Sequence, residues 1–335
     1  MKYFFRCILM GFFSAVLGNV YAQEDKVKPI GINLEGYEYA YPVHYITLQI
    51  QGETLKEAYM DIQPTTPNGK SVLLLHGKNF NANYWKDVAK DLSNKGFRVI
   101  AVDQIGFGKS SKPAHIQFSF PLLANNTVAI MDSLGIQKFD VIGHSMGGML
   151  ATRLTLLYPE RVEKLILEDP IGLEDWRKYE KYLPIEGWYQ RELAQNYKSI
   201  RAYQEEFYFD HKWKPEYDEP VNIQAGTTLS IDYPRLAWVS AQLYDMIIQQ
   251  PVCYEFGDIK VPTLLIIGLS DRTAVGSPLA YPEYKGKLGN YPELGKKTHA
   301  LIKGSELVEL PGIGHVPHMQ DYQGFIKPTL MFLEK

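Results

Sequence analysis

The hydrophobic rhythm of this chain changes twice along its length. Two strand-like runs come first, His44–Ile50 and Ala58–Gln63, split by Gln51-Gly52-Glu53, which reads as a hairpin turn. Short continuous apolar runs then alternate with helical stretches. The order is Val72–Leu75, helix Tyr84–Lys95, Arg98–Val102, helix Phe120–Leu134, Phe139–Ile142, helix Met146–Tyr158 and Val162–Leu167. Strands apolar on both faces and separated by helices predict a parallel sheet covered on both sides. After Glu168 the rhythm stops. Residues 169 to 258 are crowded with Tyr, Trp, Glu and Lys and read mostly as helices with loops. Strand character resumes at Pro262–Gly268 and Glu306–Leu310, and a final helix is expected over Tyr322–Leu333. Thr273–Gly304, rich in Gly, Pro, Tyr and Lys, is too long for a plain connection and predicts a loop excursion with one short helix. The expected fold class is α/β: a mostly parallel, eight-stranded, doubly wound sheet with a helical insertion after strand six. Residues 23–169 and 259–335 form its core, and 170–258 the insertion.

The first residues stand apart from this pattern. Lys2 and Arg6 precede the apolar stretch Ile8–Val16, and Val20-Tyr21-Ala22 ends in a small residue followed by Gln23-Glu24-Asp25. This reads as a secretory signal over 1–22, cleaved near Ala22, giving a secreted or periplasmic protein without stable membrane insertion after cleavage. Cleavage removes Cys7 and leaves Cys253 as the one remaining cysteine, so stability must come from the core rather than an intrachain disulfide. Cys253 itself reads as a small buried residue. A formal net charge of −3 gives no electrostatic case for a nucleic-acid partner or an anionic membrane surface. The partner expected is a small-molecule substrate; the oligomeric state is left open.

The densest chemical signal is Gly143-His144-Ser145-Met146-Gly147, directly after an apolar run and directly before a helical one. Gly-x-Ser-x-Gly in that setting holds a serine on a sharp strand-to-helix turn with its hydroxyl exposed above the sheet. A serine hydroxyl is a poor nucleophile until a base takes its proton, and the base needs an orienting carboxylate. His315, in Gly312-Ile313-Gly314-His315 after the last strand, is the expected base. Asp271, after the preceding strand, is the expected acid. The rivals are His318, whose place past Pro317 suggests the start of the final helix, and Asp169, after the sixth strand. The oxyanion hole is expected from the backbone N–H of Met146 and that of Lys78, in His76-Gly77-Lys78-Asn79-Phe80. The Lys78 side chain is expected in solvent, with capture of an anionic substrate group as the alternative, and His76 is expected to be structural. Asp103-Gln104-Ile105-Gly106-Phe107-Gly108 lacks the third glycine of a dinucleotide loop. No ligand cluster has metal spacing. Neither a metal nor a cofactor is expected.

Together these residues resemble the α/β-hydrolase superfamily. The likeness runs from about Ile46 to the C-terminus and rests on His76-Gly77, the segment Asp103–Ser110, Gly143–Gly148, the strand leading to Asp271, and Gly314-His315. The members most alike are single-cap hydrolases: esterases, carbon–carbon bond hydrolases of aromatic ring-cleavage pathways, and cofactor-free haloperoxidase-like enzymes. Serine at the elbow departs from the aspartate of haloalkane dehalogenases and epoxide hydrolases. Lys78-Asn79-Phe80 departs from the Gly-Gly-Pro-Gly run of proline iminopeptidases. The resemblance implies that 170–258 is the cap. Its aromatics, among them Trp176, Tyr179, Tyr182, Trp188, Tyr189, Tyr203, Phe207, Tyr208 and Trp213, imply an apolar pocket over Ser145. The expected function is hydrolysis of an ester or related acyl bond (a carboxylic ester hydrolase) through Ser145, His315 and Asp271. One alternative is carbon–carbon bond hydrolysis of a dienoic diketone-type acid, with Lys78 or Arg201 on its carboxylate. The other is a non-catalytic binding protein on the same scaffold.

Overall fold

The computed structural model describes residues 27–335, so the expected signal over 1–22 lies outside the described residues. The eight strands are β1 (Val43–Ile50), β2 (Glu53–Ile62), β3 (Ser71–Leu75), β4 (Arg98–Asp103), β5 (Phe139–His144), β6 (Val162–Glu168), β7 (Thr263–Gly268) and β8 (Glu306–Leu310). They form one sheet in the order β1-β2-β4-β3-β5-β6-β7-β8. The β1–β2 and β2–β4 pairings are antiparallel, and all others are parallel. Side chains alternate across the sheet because the strand period is two. Leu73, Leu75, Val141 and Leu265 enter the core on one face. Val72, Leu74, Ile142 and Leu264 enter the core on the other. Every residue of β5 and of β7 is buried, which explains why these strands read as mostly apolar runs, with Asp140 of β5 an exception. Each such aliphatic side chain contributes about 1.5–3 kcal/mol when fully buried.

Three expectations are corrected. Strand β2 starts at Glu53, five residues before Ala58. Its first half is polar because it lies in an edge hairpin with one face toward solvent, and the turn is the pair Gln51-Gly52, both with positive φ (49° and 88°). The helix expected from Tyr84 opens instead as a single 3-10 turn, Ala82–Trp85. Asn81 caps it by accepting the Asn83 N–H at 2.9 Å, and α1 (Lys86–Asn94) follows. The segment 273–304 is more ordered than a loop with one short helix: it holds two 3-10 turns and an eleven-residue helix, Tyr291–Leu301.

The other core helices are α2 (Phe120–Ser133) and α3 (Met146–Leu157), with a short turn Pro317–Gln320 before the last helix, Tyr322–Glu334. Between β6 and β7 lie α4 (Ile185–Leu193), α5 (Tyr197–Tyr203), α6 (Asp218–Thr228) and α7 (Tyr233–Gln249). Helix α7 is not isolated from the core. Its Ala241, Leu243 and Met246 join the same apolar cluster as Leu75, Val102 and Met146. A strap at the start of the described chain ties these helices down. Ile30 N–H donates to the Gly226 carbonyl at 3.0 Å, and Tyr37 OH donates to Glu219 at 2.7 Å. Among the described residues, no helix is long and apolar enough to cross a membrane.

Candidate active site

Strand β5 ends in a turn that only small neighbours allow. Ser145 has φ 56° and ψ −120°, a conformation costly for any residue with a side chain. A Cβ on Gly143 would lie 2.3 Å from the Gly147 carbonyl oxygen, and one on Gly147 would lie 2.2 Å from the Leu75 oxygen, so neither position accepts alanine without movement. The elbow is pinned by Ser145 N–H donating to the Glu168 carbonyl at 3.1 Å. Ser145 precedes α3 as its N-cap, where a serine ordinarily accepts from the helix backbone, yet its hydroxyl makes no such bond. It faces His315 instead.

His315 Nε2 stands 2.8 Å from Ser145 Oγ, and His315 Nδ1 stands 2.6 Å from Asp271 Oδ2. With Nδ1–H donating to the carboxylate, the Nε2 lone pair is left to accept from the hydroxyl. The side chains of His315 and Asp271 are wholly shielded from solvent. The second carboxylate oxygen of Asp271 accepts the Thr273 N–H at 2.7 Å, which fixes the rotamer. The His315 backbone is held at both polar atoms: its N–H donates to the Tyr208 carbonyl at 2.9 Å, and its carbonyl accepts from His144 Nε2 at 2.7 Å.

The rival residues go elsewhere. His318 Nδ1 lies 2.9 Å from both oxygens of Glu168, and its ring stacks on Trp85 with centroids 4.4 Å apart. Asp169 takes the Gly268 N–H on its two oxygens at 2.9 and 3.0 Å. Burial, then the neighbouring Asp271 charge, push the Asp169 carboxyl well above the usual carboxylate range. His76 is buried, with Nδ1 at 2.9 Å from the Gly77 carbonyl oxygen and Nε2 accepting the Gln104 N–H at 3.2 Å.

Sequence reasoning missed a polar chain under the site. Gly77 N–H donates to Tyr84 OH at 3.1 Å, and that hydroxyl lies 3.0 Å from His144 Nδ1. His144 Nε2 then reaches the His315 carbonyl, so one ring joins the loop after β3 to the loop after β8. Burial keeps His144 neutral by lowering its pKa well below the ordinary histidine value, consistent with one ring nitrogen donating and the other accepting. Its position inside Gly-His-Ser was visible in the sequence; its bridging role was not.

Lys78 is a correction. Its ammonium is not in solvent: Nζ donates to Ser240 Oγ at 2.8 Å and sits 3.5 Å from the centre of the Tyr244 ring. Ser240 and Tyr244 lie four residues apart on α7 and so share one helical face. Burial lowers the Lys78 pKa, opposed by the Glu192 carboxylate. Arg201, the other candidate cation, is already paired with Glu205 and lies 3.4 Å from the Trp213 ring centre. The insertion's aromatics largely pack on one another: Trp188 stacks on Tyr244 at 4.6 Å and Tyr189 meets Trp238 edge-on at 5.4 Å. Tyr182 stands 68% exposed. The Tyr208 ring approaches the site, 5.1 Å from that of His315.

A hydroxyl, an imidazole and a carboxylate joined in series can move the hydroxyl proton to the ring while the carboxylate steadies the resulting imidazolium. The backbone N–H of Met146 opens α3, where the first helical donors lack intrahelical partners. The family model described as the alpha/beta hydrolase fold matches residues 70–322. The chain belongs to the α/β-hydrolase family. This α/β hydrolase is 27% identical over 281 residues to a 2-hydroxy-6-oxononadienedioate/2-hydroxy-6-oxononatrienedioate hydrolase of Comamonas testosteroni, spanning 79% of this chain and 88% of the relative. It is 27% identical over 282 residues to a 2-hydroxy-6-oxo-6-phenylhexa-2,4-dienoate hydrolase of Burkholderia cepacia, with the same two shares of 79% and 88%. Among solved structures, it is similar to a probable hydrolytic enzyme of Pseudomonas aeruginosa PAO1. The TM-score there is 0.91 and the identity 47%, covering 92% of this chain and 99% of the other.

Proposed function

We propose that this α/β hydrolase cleaves the bond beside a carbonyl through Ser145, His315 and Asp271, and that its substrate is a 2-hydroxy-6-oxo-dienoic type of acid cut at a carbon–carbon bond. The observation that carries the reaction type is the continuous contact from Ser145 Oγ to His315 Nε2 at 2.8 Å and from His315 Nδ1 to Asp271 Oδ2 at 2.6 Å. The relatives named for dienoate hydrolysis, matched over 79% of the chain, support the substrate class.

Ser145 Oγ attacks the ketone carbon as His315 Nε2 takes its proton. Asp271 holds the imidazolium, and the N–H groups of Met146 and Lys78 receive the oxyanion. Collapse breaks the carbon–carbon bond. The substrate reacts as its 2-oxo tautomer, the 2-hydroxyl proton having moved to the carbon beside the ketone. The departing carbon's electron pair therefore passes through the alkene into the 2-oxo group, and His315 returns the proton to the resulting dienolate. Water, activated by the same ring, frees the acyl group from Ser145.

A second reading is the ester hydrolysis expected from the sequence. The triad contact favours it equally, because an acyl-enzyme demands nothing further of an alkoxide leaving group. The test uses 2-hydroxy-6-oxo-6-phenylhexa-2,4-dienoate and p-nitrophenyl acetate with the purified protein and with Ser145→Ala. Loss of dienoate absorbance, reduced at least ~10³-fold in Ser145→Ala, supports the carbon–carbon reading. Turnover of the acetate alone selects the ester reading. Undiminished turnover in Ser145→Ala overturns both. Absence of fluorophosphonate labelling at Ser145 returns the chain to a non-catalytic binding role.

A further inference from the structure

A cavity of about 100 Å³ is lined by Lys78, Ser240 and Glu192, by Ile32 and Leu34 of the N-terminal strap, and by Leu243 of α7. Its Lys78 follows Gly77, the residue of the loop after β3 packed against the Ser145 side chain. A Cβ on Gly77, next to Lys78, would stand 3.1 Å from Ser145 Cβ.

The charges in this cavity are not matched as a structural ion pair would be. Among the described residues, no carboxylate oxygen comes within 4.0 Å of Lys78 Nζ. The ammonium has only the Ser240 hydroxyl and the Tyr244 ring face. Glu192 is 7% exposed, and its carboxylate makes no hydrogen bond among the described residues, although its backbone carbonyl accepts from Tyr233 OH at 2.7 Å. Lys112 lines the same cavity, but its ammonium donates to the carbonyls of Phe107, Gly108 and Ser110 at 3.2, 2.8 and 2.5 Å. A half-buried cation and a buried anion are costly unless hydrogen-bonded partners compensate them. Here both line the same cavity.

We infer that this cavity is the subsite for a carboxylate carrying a hydrogen-bond donor on its α-carbon, with the carboxylate on Lys78 and the donor on Glu192. A ligand of that kind completes both groups at once: it supplies the anion that Lys78 lacks and the O–H or N–H that Glu192 lacks. The inference rests on the proposed role of Ser145, since it places the acid head of the substrate on Lys78, the residue after Gly77, which packs against Ser145. It assigns substrate choice to Lys78 and Glu192 rather than to Arg201, which is already paired.

The test is calorimetric binding of four compounds to the full mature chain: sodium 2-hydroxybutanoate, 2-aminobutanoate, butanoate and methyl 2-hydroxybutanoate. The hydroxy acid binds at least ~10-fold more tightly than butanoate, and the methyl ester at least ~30-fold more weakly than the hydroxy acid. Preference between the hydroxy and amino acids tells which donor Glu192 takes. Lys78→Met loses at least ~30-fold in affinity for the hydroxy acid, and Lys78→Arg recovers part of it. Glu192→Gln brings hydroxy acid and butanoate within ~3-fold of each other. Equal binding of acid and methyl ester by the wild type overturns the inference, as does wild-type affinity in Lys78→Met. Should Lys78→Met fail to fold, the ester comparison and Glu192→Gln still decide. Binding is read without turnover, so the two proposals fail separately. Full hydrolysis in Ser145→Ala with the binding pattern intact removes the reaction and keeps the subsite. Normal loss of hydrolysis in Ser145→Ala with no discrimination among the acids removes only the subsite.

Discussion

The rim at the carboxyl ends of the strands and the cavity under α7 treat polar groups in opposite ways. On the rim each polar group of the His315 cluster has its partner: Asp271 bonds with both oxygens, His315 with both ring nitrogens and both backbone atoms. Elsewhere, Lys78 and Glu192 share a cavity without closing on each other. The rim is built by strand ends and by a turn whose sterics leave one conformation, so its geometry is set before any ligand arrives. The cavity is built by helices brought over from an insertion, and it keeps two charges in want of partners. A fully satisfied cluster marks where chemistry is prepared; an unsatisfied one marks where recognition is left to the ligand.

The largest expected effect breaks the rim itself. His315→Ala should lower turnover of the proposed substrate by ~10⁴-fold or more, because the hydroxyl then has no base; steady-state rates check it. A second ring able to serve, such as His318, would show as a loss below ~10²-fold, contrary to its contact with Glu168.

Next is the scaffold beneath. Gly147→Ala places a methyl group where the Leu75 carbonyl oxygen lies 2.2 Å away, and urea unfolding should show a loss of about 2–4 kcal/mol with reduced activity. Unchanged stability would mean that the elbow can relax, and that its conformation is not imposed by close approach.

A smaller effect separates function from accident on the same strand. Asp140, on β5 at the far end from Ser145, has one carboxyl oxygen buried without a partner, and burial pushes its pKa up to about 6, opposed mainly by Lys164. The folded chain therefore keeps this proton between about pH 4 and 6 while the unfolded chain has lost it. Its stability falls as pH rises through that window and stays lowered above it. Asp140→Asn should be about 1–3 kcal/mol more stable than the parent at pH 8, and the gain should fade toward pH 4 in parallel thermal unfolding curves. A gain independent of pH would refute the assignment.

The smallest effect lies where the two regions meet. Tyr208 OH accepts from Asn79 Nδ2 at 2.8 Å, while the Tyr208 backbone carbonyl holds His315. Tyr208→Phe should cost about 1 kcal/mol in stability and raise KM more than it lowers kcat, since the backbone contact survives. A fall confined to kcat would instead place the phenol in the reaction.

Much of this was legible in the order of residues. The parallel strands announced themselves because β5 and β7 are buried on both faces and carry no polar alternation. The elbow was legible because Gly143 and Gly147 flank the serine, Gly143 being required by its contact with Gly147 and Gly147 by the Leu75 carbonyl of the neighbouring strand. The start of β2 was hidden, since a solvated edge hairpin carries polar residues that read as loop. The partial burial of Lys78 was also hidden, because nothing near it in sequence predicts that Ser240 and Tyr244 arrive over it.

By itself the sequence determined the alternation of strands and helices, the sharp turn at Ser145, and the expectation that a downstream histidine and carboxylate would stand on neighbouring loops. These follow from short-range sterics and from apolar periodicity, which act between residues close along the chain. Only the tertiary structure decided that His315 rather than His318 meets Ser145, that Asp271 rather than Asp169 meets His315, and that Lys78 and Glu192 line one cavity. Those outcomes depend on ångström-scale distances between groups more than forty residues apart, set by how helices and sheet pack and invisible to any local pattern.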